Sequence, residues 1–132
     1  MDEEIFRIST SAARAKSLKD MAEDRLKDVK HEKKPYRLVE QYYEIIKELI
    51  TSLMYADGYK TLSHKSLIVY LEKNYGAYFT KDEFVFMDET RKLRNDILYY
   101  GRQVDQSFLT NHEEKLKIII SKLFKIVNNK LN

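Results

Sequence analysis

The sequence contains no cysteine and no tryptophan, and it has only three glycines and one proline among its 132 residues. The missing thiols exclude disulfides, iron–sulfur clusters and thiolate zinc sites. Folds built from many short strands need many turn residues, so the scarcity of glycine and proline argues against them. The length fits one compact domain, which we assign to residues 1–132.

Signals for secretion and for membrane insertion are also missing from the sequence. The first six residues, Met1 to Phe6, are mainly acidic and lack the basic-then-apolar order of a signal peptide. No apolar run approaches the roughly 20 residues that a membrane-spanning helix needs. We therefore expect a cytoplasmic protein that makes no membrane contact.

Charged residues make up 34% of the chain, and the formal net charge is +3. Because both signs are mixed along most of the sequence, no dominant nucleic-acid-binding face stands out. The C-terminal stretch from Lys115 to Lys130 is locally basic. The even spacing of its lysines favours a solvated helix face, with an RNA-facing patch as the alternative.

Hydrophobic periodicity predicts helices along most of the chain. The first would cover residues 2–30, where small and apolar residues recur at alternating three- and four-residue steps. The second would begin at Pro35, a residue that suits the first turn of a helix, and continue to Asp57 with a wide apolar face. Three more helices would cover about residues 62–75, about residues 81–100, and a last segment from residue 105 or 110 to the C-terminus.

Glycines and a capping box mark the predicted helix ends. Gly58, Gly76 and Gly101 each follow a helical pattern, at the position where a left-handed cap favours glycine. Thr80 and Glu83 have the spacing of a capping box, in which each side chain binds a free backbone N–H. Together these boundaries predict an all-α, antiparallel up-and-down bundle of four to five helices.

Metal and cofactor sites find little support in the sequence. The three histidines, His31, His64 and His112, do not share a helix turn, and none has a ligand-type spacing to another. No glycine-rich phosphate loop is present, and no serine sits on a glycine-flanked elbow. We therefore expect neither a metal nor a cofactor.

The stretch from Asp88 to Gly101, DETRKLRNDILYYG, is the most informative part of the chain. It is dense in polar groups and ends a helix whose other face is apolar. Such a group of side chains can orient a phenol, bind phosphate, or form a buried polar network that fixes the register of helices.

The same stretch resembles the signature of the HEPN (higher eukaryotes and prokaryotes nucleotide-binding) domain. Arg94-Asn95-Asp96-Ile97-Leu98 matches the arginine half of that signature, and Tyr99 stands where many members have a histidine. The segment from Tyr55 to Leu67, with Gly58 and the Ser63-His64 pair, is similar to the family's passage from the second to the third helix. Within the family, the resemblance is greatest to the compact prokaryotic kind.

The resemblance implies a homodimeric helical protein. Active HEPN ribonucleases bring together the arginine and histidine of two subunits and cleave RNA without a metal, by attack of the ribose 2′-hydroxyl. Histidine suits that step because its pKa lies near neutrality, whereas tyrosine, with an ordinary pKa of about 10, is a poor base. On this interpretation His64 is a substitute base, and the catalytic residues are Arg94, Asn95, Asp96 and Tyr99.

Other HEPN proteins work beside a minimal nucleotidyltransferase in toxin–antitoxin pairs, and in some pairs a tyrosine near the signature accepts the nucleotide. The resemblance therefore implies a nucleotidyltransferase partner and contact with RNA or nucleotide, with Tyr99, Tyr100 and His64 as acceptor or binding residues. Arg94 and Tyr99 are five residues apart, or roughly 140° around an unbroken helix. They would converge only if the helix unwinds near Tyr99 or if a second subunit supplies one of them.

Three functions stay open at this point. The first is a dimeric binding module beside a nucleotidyltransferase, which the ten tyrosines and the wide apolar face of the second helix also favour. The second is a metal-independent endoribonuclease. The third is a non-catalytic helical interaction protein in which the polar cluster sets the register of the helices.

Overall fold

The computed structural model describes residues 4–132, and most of these residues are helical. Two short strands form an antiparallel pair with Phe6 opposite Lys60. In chain order the elements are β1 (Ile5–Arg7), α1 (Ala12–Val29), α2 (Pro35–Asp57), β2 (Tyr59–Thr61), α3 (His64–Tyr75), a 3₁₀ turn (Gly76–Tyr78), α4 (Lys81–Tyr100) and α5 (Gln106–Leu131). The expectation of a mainly helical fold is therefore confirmed.

The second helix, α2, lies at the centre of the molecule and packs against each of the other four helices. Most of the largest fully buried side chains belong to it, among them Tyr42, Leu49 and Leu53. Its apolar residues face several neighbours at once, which accounts for the wide apolar face in its sequence. Its observed bounds, from Pro35 to Asp57, are the predicted ones.

The helices α1 and α2 approach each other through small side chains. Ala15, Ala22 and Val29 are buried at seven-residue intervals along α1, which is the repeat of a long helix–helix contact. The alanines keep the two backbones close, so that the Ser52 hydroxyl of α2 donates to the Ala15 carbonyl oxygen at 2.6 Å.

The first helix begins later than the sequence pattern predicts. The pattern extends over residues 2–30, but α1 begins at Ala12, after Ser11 has capped it by accepting a hydrogen bond from the Arg14 backbone N–H. Ile5–Arg7 form β1 instead, because pairing with β2 satisfies their backbone groups. Positions 2 and 3 of the predicted helix lie outside the described residues.

Two of the three glycines have the predicted left-handed conformation. The φ angles are 90° at Gly58 and 66° at Gly101, but Gly76 is right-handed at −58° and leads into the 3₁₀ turn, so the prediction is wrong there. At Gly58 a side chain would also meet the chain that enters α1, since an added Cβ would lie 3.0 Å from the Ile8 carbonyl oxygen. Glycine leaves room for this close approach, in which the Ile8 N–H donates to the Gly58 carbonyl oxygen at 2.9 Å.

The helix that carries the candidate residues has well-defined ends. At its start the Thr80 hydroxyl accepts from the Glu83 N–H at 3.1 Å, and the Glu83 carboxylate accepts from the Thr80 N–H at 2.8 Å, which confirms the predicted capping box. Gly101 ends α4, and the chain stays helical through Tyr100. The helix therefore does not unwind near Tyr99.

Candidate functional site

Arg94 reaches from α4 to α2 and lies at the centre of a polar cluster. Its Nη2 donates to Glu44 Oε1 at 3.1 Å, and its guanidinium carbon lies 5.6 Å from the centre of the Tyr43 ring. Its Nη1 also donates to Oδ1 of the adjacent Asn95 at 3.4 Å. Only 15% of the Arg94 side chain is exposed, so the guanidinium is held between the two helices.

His64 joins the same cluster from the first turn of α3. Its Nδ1 lies 3.2 Å from the Tyr43 hydroxyl oxygen, and the two rings stack with their centres 5.8 Å apart. Burial raises the pKa of the Tyr43 phenol far above its ordinary value, which keeps the hydroxyl protonated. Tyr43 therefore connects a histidine on one helix with an arginine on another.

The surroundings of His64 favour its neutral form. Burial lowers the pKa of His64 from its ordinary value of 6.5, and the positive charges of Lys47 and Arg94 lower that pKa further. A neutral ring that donates from Nδ1 to the Tyr43 hydroxyl oxygen has a free lone pair on Nε2, whereas a ring that accepts at Nδ1 carries its proton on Nε2. His64 is therefore uncharged at neutral pH, and in the tautomer that carries its proton on Nδ1 the ring can accept a proton at Nε2.

Glu44 balances the positive charge of the cluster. It contacts Lys47 Nζ at 2.8 Å and Arg94 Nη2 at 3.1 Å. Burial alone would raise the pKa of Glu44, but the hydrogen bond from Lys47 and the charges of Lys47 and Arg94 outweigh burial and lower this pKa. The carboxylate is therefore ionised at neutral pH and holds both cations in place.

A groove of about 380 Å³ opens beside the cluster, between α1, α2 and the start of α3. Its size lies at the lower end of the range for small-molecule sites, roughly 300–1,000 Å³. Lys47 and His64 line it, together with the hydroxyl groups of Thr51 and Ser63. The groove therefore carries both signs of charge, since the Lys47 ammonium and the positive end of the α3 dipole lie beside the Glu44 and Glu48 carboxylates.

The two polar residues that follow Arg94 lie on different sides of α4. Asn95 stays beside Arg94. Asp96 instead accepts a hydrogen bond from the Arg102 guanidinium at 3.2 Å and lines a separate cavity of about 280 Å³ together with His112 of α5. Within residues 4–132, no hydrogen bond or ion pair joins the Asp96 side chain to Arg94.

Tyr99 and Tyr100 lie at the exposed end of α4, where their side chains are 68% and 82% exposed. In the described part of the chain, neither phenol forms a hydrogen bond or a ring contact. Because α4 is unbroken through Tyr100, Arg94 and Tyr99 point to different faces of the helix. The sequence pattern also puts Tyr100 on the apolar face with Ile97, but only Ile97 is buried.

Three members of the cluster, Tyr43, Glu44 and Lys47, were not predicted from the sequence. Tyr43 belongs to an apolar stripe of the second helix and resembles any other core residue there. Glu44 and Lys47 do have the i, i+3 spacing of a helical ion pair. No local signal indicates that this turn of α2 faces Arg94, because that contact depends on how the helices pack.

Comparison with known proteins finds no similar family, protein or structure. The chain matches no protein-family model, no curated protein and no solved structure. Within residues 4–132, no group of three or more histidine, aspartate or glutamate side chains is placed to hold a metal ion. No helix in this part of the chain has the length and apolar character needed to cross a bilayer.

Proposed function

We propose that this chain is a HEPN-type homodimeric helical module that receives a nucleotidyl group on Tyr99 or Tyr100 from a partner nucleotidyltransferase, as one component of a toxin–antitoxin pair. The proposal depends on one observation. Two adjacent phenols, 68% and 82% exposed, end the helix that carries Arg94. A partner enzyme can reach both hydroxyls without any unfolding of α4.

The chemistry of transfer requires an accessible oxygen nucleophile. The phenol oxygen attacks the α-phosphorus of a nucleoside triphosphate, the bond between the α-phosphorus and the bridging oxygen breaks, and pyrophosphate leaves. The phenol proton passes to a base of the transferase. Buried tyrosines such as Tyr42, Tyr43 and Tyr70 are unsuitable acceptors, because each is at most 4% exposed and its hydroxyl is already hydrogen-bonded.

The side chains around the two phenols suit a nucleotide-bearing partner. Leu98 is 49% exposed and offers apolar contact area beside the tyrosines. Arg102, just beyond Gly101, forms an ion pair with Asp96 in which both side chains are largely exposed. Such pairs contribute at most about 1 kcal/mol, so Arg102 can exchange Asp96 for a phosphate at low cost.

The test is the intact mass of the chain after expression in the cells that naturally carry its gene. The wild type is compared with the Tyr99→Phe Tyr100→Phe double variant and with Tyr78→Phe, a matched control whose phenol is 59% exposed elsewhere on the surface. We expect an added nucleotidyl mass on the wild type and on Tyr78→Phe, and none on the double variant. An unmodified wild type, or an equally modified double variant, contradicts the proposal.

A metal-independent ribonuclease is the second candidate, because His64 lies only one side chain away from Arg94. His64 contacts Tyr43, whose ring lies under the Arg94 guanidinium. A histidine in this position supplies the base that Tyr99 cannot provide. With its own proton on Nδ1, His64 takes the proton of the ribose 2′-hydroxyl at Nε2 as that oxygen attacks the adjacent phosphorus. The bond to the 5′ oxygen breaks, and water protonates the leaving oxygen.

The ribonuclease test uses total RNA in the presence of EDTA. The wild type is compared with Arg94→Ala, His64→Ala and His31→Ala. The last of these is the matched control, because the His31 imidazole is exposed in the turn between α1 and α2. We expect cleavage by the wild type and by His31→Ala, and loss of cleavage in the other two variants, with circular dichroism verifying each fold. Equal cleavage by all four proteins, or none by any, excludes the ribonuclease.

A further inference from the structure

A third cavity, with a volume of about 630 Å³, lies between the end of α1, the start of α2 and the middle of α5. Ligand sites for small molecules have volumes of roughly 300–1,000 Å³. None of its lining residues belongs to the Arg94 cluster or to the exposed end of α4. This cavity is therefore a separate candidate site.

Apolar side chains from all three helices form much of the wall of this cavity. They are Leu26, Val29, Leu38, Ile120 and Phe124. Leu26 remains 36% exposed and Phe124 is only partly buried, so apolar surface stays open to a ligand. The phenyl ring of Phe124 offers a stacking surface for a flat aromatic body.

A hydrogen-bonded pair of polar groups lies deeper in the same cavity. The Tyr42 side chain is 1% exposed, and its hydroxyl donates to Glu113 Oε2 at 2.5 Å. Burial of Tyr42 and its bond to Glu113 both raise the pKa of the phenol, so Tyr42 remains the donor. Within residues 4–132, the other oxygen of Glu113 has no hydrogen-bonding partner and can accept from a ligand.

Two ammonium groups also line the cavity, together with Ser121 and with Glu32, whose Oε2 accepts from the Lys33 and Lys34 backbone N–H groups. In the described chain, Lys30 and Lys117 form no ion pair, whereas Lys115, Lys122 and Lys130 of the same helix as Lys117 each contact a carboxylate. The cavity therefore presents two carboxylates, of which Glu113 is the one bonded to Tyr42, and two unpaired cations beside an apolar wall. A fatty acid would satisfy only the cations, and an amine would satisfy only the carboxylates.

We propose that this cavity binds an aromatic zwitterion, of the chemical class of the aromatic amino acids. Its ammonium contacts Glu113, its carboxylate contacts Lys117 and Lys30, and its ring packs against Phe124. Such a ligand matches both signs of charge and the apolar wall at once. This site does not depend on nucleotidyl transfer at the end of α4.

The test uses L-tryptophan as the probe, because the chain has no tryptophan and indole fluorescence therefore reports the ligand alone. We expect Glu113→Gln to weaken binding about tenfold, since a charge-assisted hydrogen bond is lost while the amide oxygen still accepts from Tyr42. Lys117→Gln loses a more exposed contact and should weaken binding about threefold. The matched controls Glu114→Gln and Lys125→Gln alter neighbouring exposed charges of α5 that do not line the cavity.

Two analogues that each carry only one of the two charges of tryptophan test which residue binds which charge. Tryptamine carries only the ammonium, so Glu113→Gln should weaken its binding and Lys117→Gln should not. Indole-3-propionate carries only the carboxylate and should show the reverse. The proposal is overturned if tryptophan does not bind the wild type at millimolar concentration, or if the three probes respond alike to the two variants.

Discussion

Arg94 joins α4 to α2, whatever its functional role. Its guanidinium donates to Glu44 and lies over the Tyr43 ring, with only 15% of the side chain exposed. Removal of the guanidinium would leave the partly buried Glu44 without one of its two cationic partners. We expect Arg94→Ala to lower the free energy of unfolding by about 1–3 kcal/mol, measured by urea unfolding with an unchanged m-value.

The matched control for Arg94 is Arg102, eight residues later. Its ion pair with Asp96 has exposed fractions of 59% and 42% on the two sides. Arg102→Ala should change the free energy of unfolding by less than about 1 kcal/mol. If both variants unfold at the urea midpoint of the wild type, the Arg94 contact is not structural, and the register hypothesis for this cluster fails.

The sequence identified individual members of this cluster but not its connections. Arg94 and His64 were both singled out from sequence patterns, 30 positions apart in the numbering. The contact between them passes through Tyr43, a residue that looks like ordinary core in its own helix. Pairings of this kind arise from the packing of three helices, and local spacing carries no information about them.

Among the elements, the contact between α1 and α2 depends on the small size of its residues. Ala22 is 0% exposed, so the methyl groups of a leucine at this position would have to displace α2. Overpacking of this kind costs about 1–3 kcal/mol. We therefore expect Ala22→Leu to lower the free energy of unfolding by that amount in urea unfolding.

Ala13→Leu is the matched substitution on the exposed side of the same helix. Leucine and alanine are both good helix formers, so this change should be within about 0.5 kcal/mol of the wild type. If both variants lost the same free energy of unfolding, the effect of leucine would come from helix propensity. The close approach of α1 and α2 would then not be what requires a small residue at position 22.

Elements whose ends carry local signals were predicted well, and elements formed by distant contacts were not. Pro35 and Gly58 delimit α2 at the predicted positions, because proline suits a first turn and glycine a left-handed cap. Ile5 and Ile8 continue the helical pattern of α1 toward the N-terminus, but Ile5 is paired with β2 and the Ile8 N–H donates to the Gly58 carbonyl oxygen. Ser11 was the available local signal for the true start of α1.

For the molecule as a whole, Asp57 connects three helices at one end of the fold. Its carboxylate accepts hydrogen bonds from the Tyr70 and Tyr75 hydroxyls of α3, and Lys130 near the end of α5 contacts it at 2.8 Å. Burial alone would raise the pKa of Asp57, but the hydrogen bonds from Lys130, Tyr70 and Tyr75 outweigh burial and lower this pKa below its ordinary value of 3.8.

Glu48, in the contact between α2 and α1, shows the opposite shift. It is 4% exposed, and burial raises its pKa above the ordinary value of 4.5, although the hydrogen bonds from Arg25 partly oppose that effect. Near the ordinary pKa values of the two side chains, Asp57 binds more protons in the unfolded chain than in the folded one. Glu48 binds fewer protons in the unfolded chain than in the folded one. Asp57 therefore makes stability rise with pH, whereas Glu48 makes it fall.

The two carboxylates consequently predict opposite changes in the pH dependence of stability. Between about pH 3 and 6, Asp57→Asn should make the free energy of unfolding rise less steeply with pH, and Glu48→Gln should make it rise more steeply. Urea unfolding at four or five pH values measures both slopes, with the exposed Asp24→Asn as the control. Each substitution removes one negative charge, so a general charge effect would change both slopes in the same direction. The opposite pKa shifts of the two carboxylates predict opposite changes, and slopes that change in the same direction would contradict these assignments.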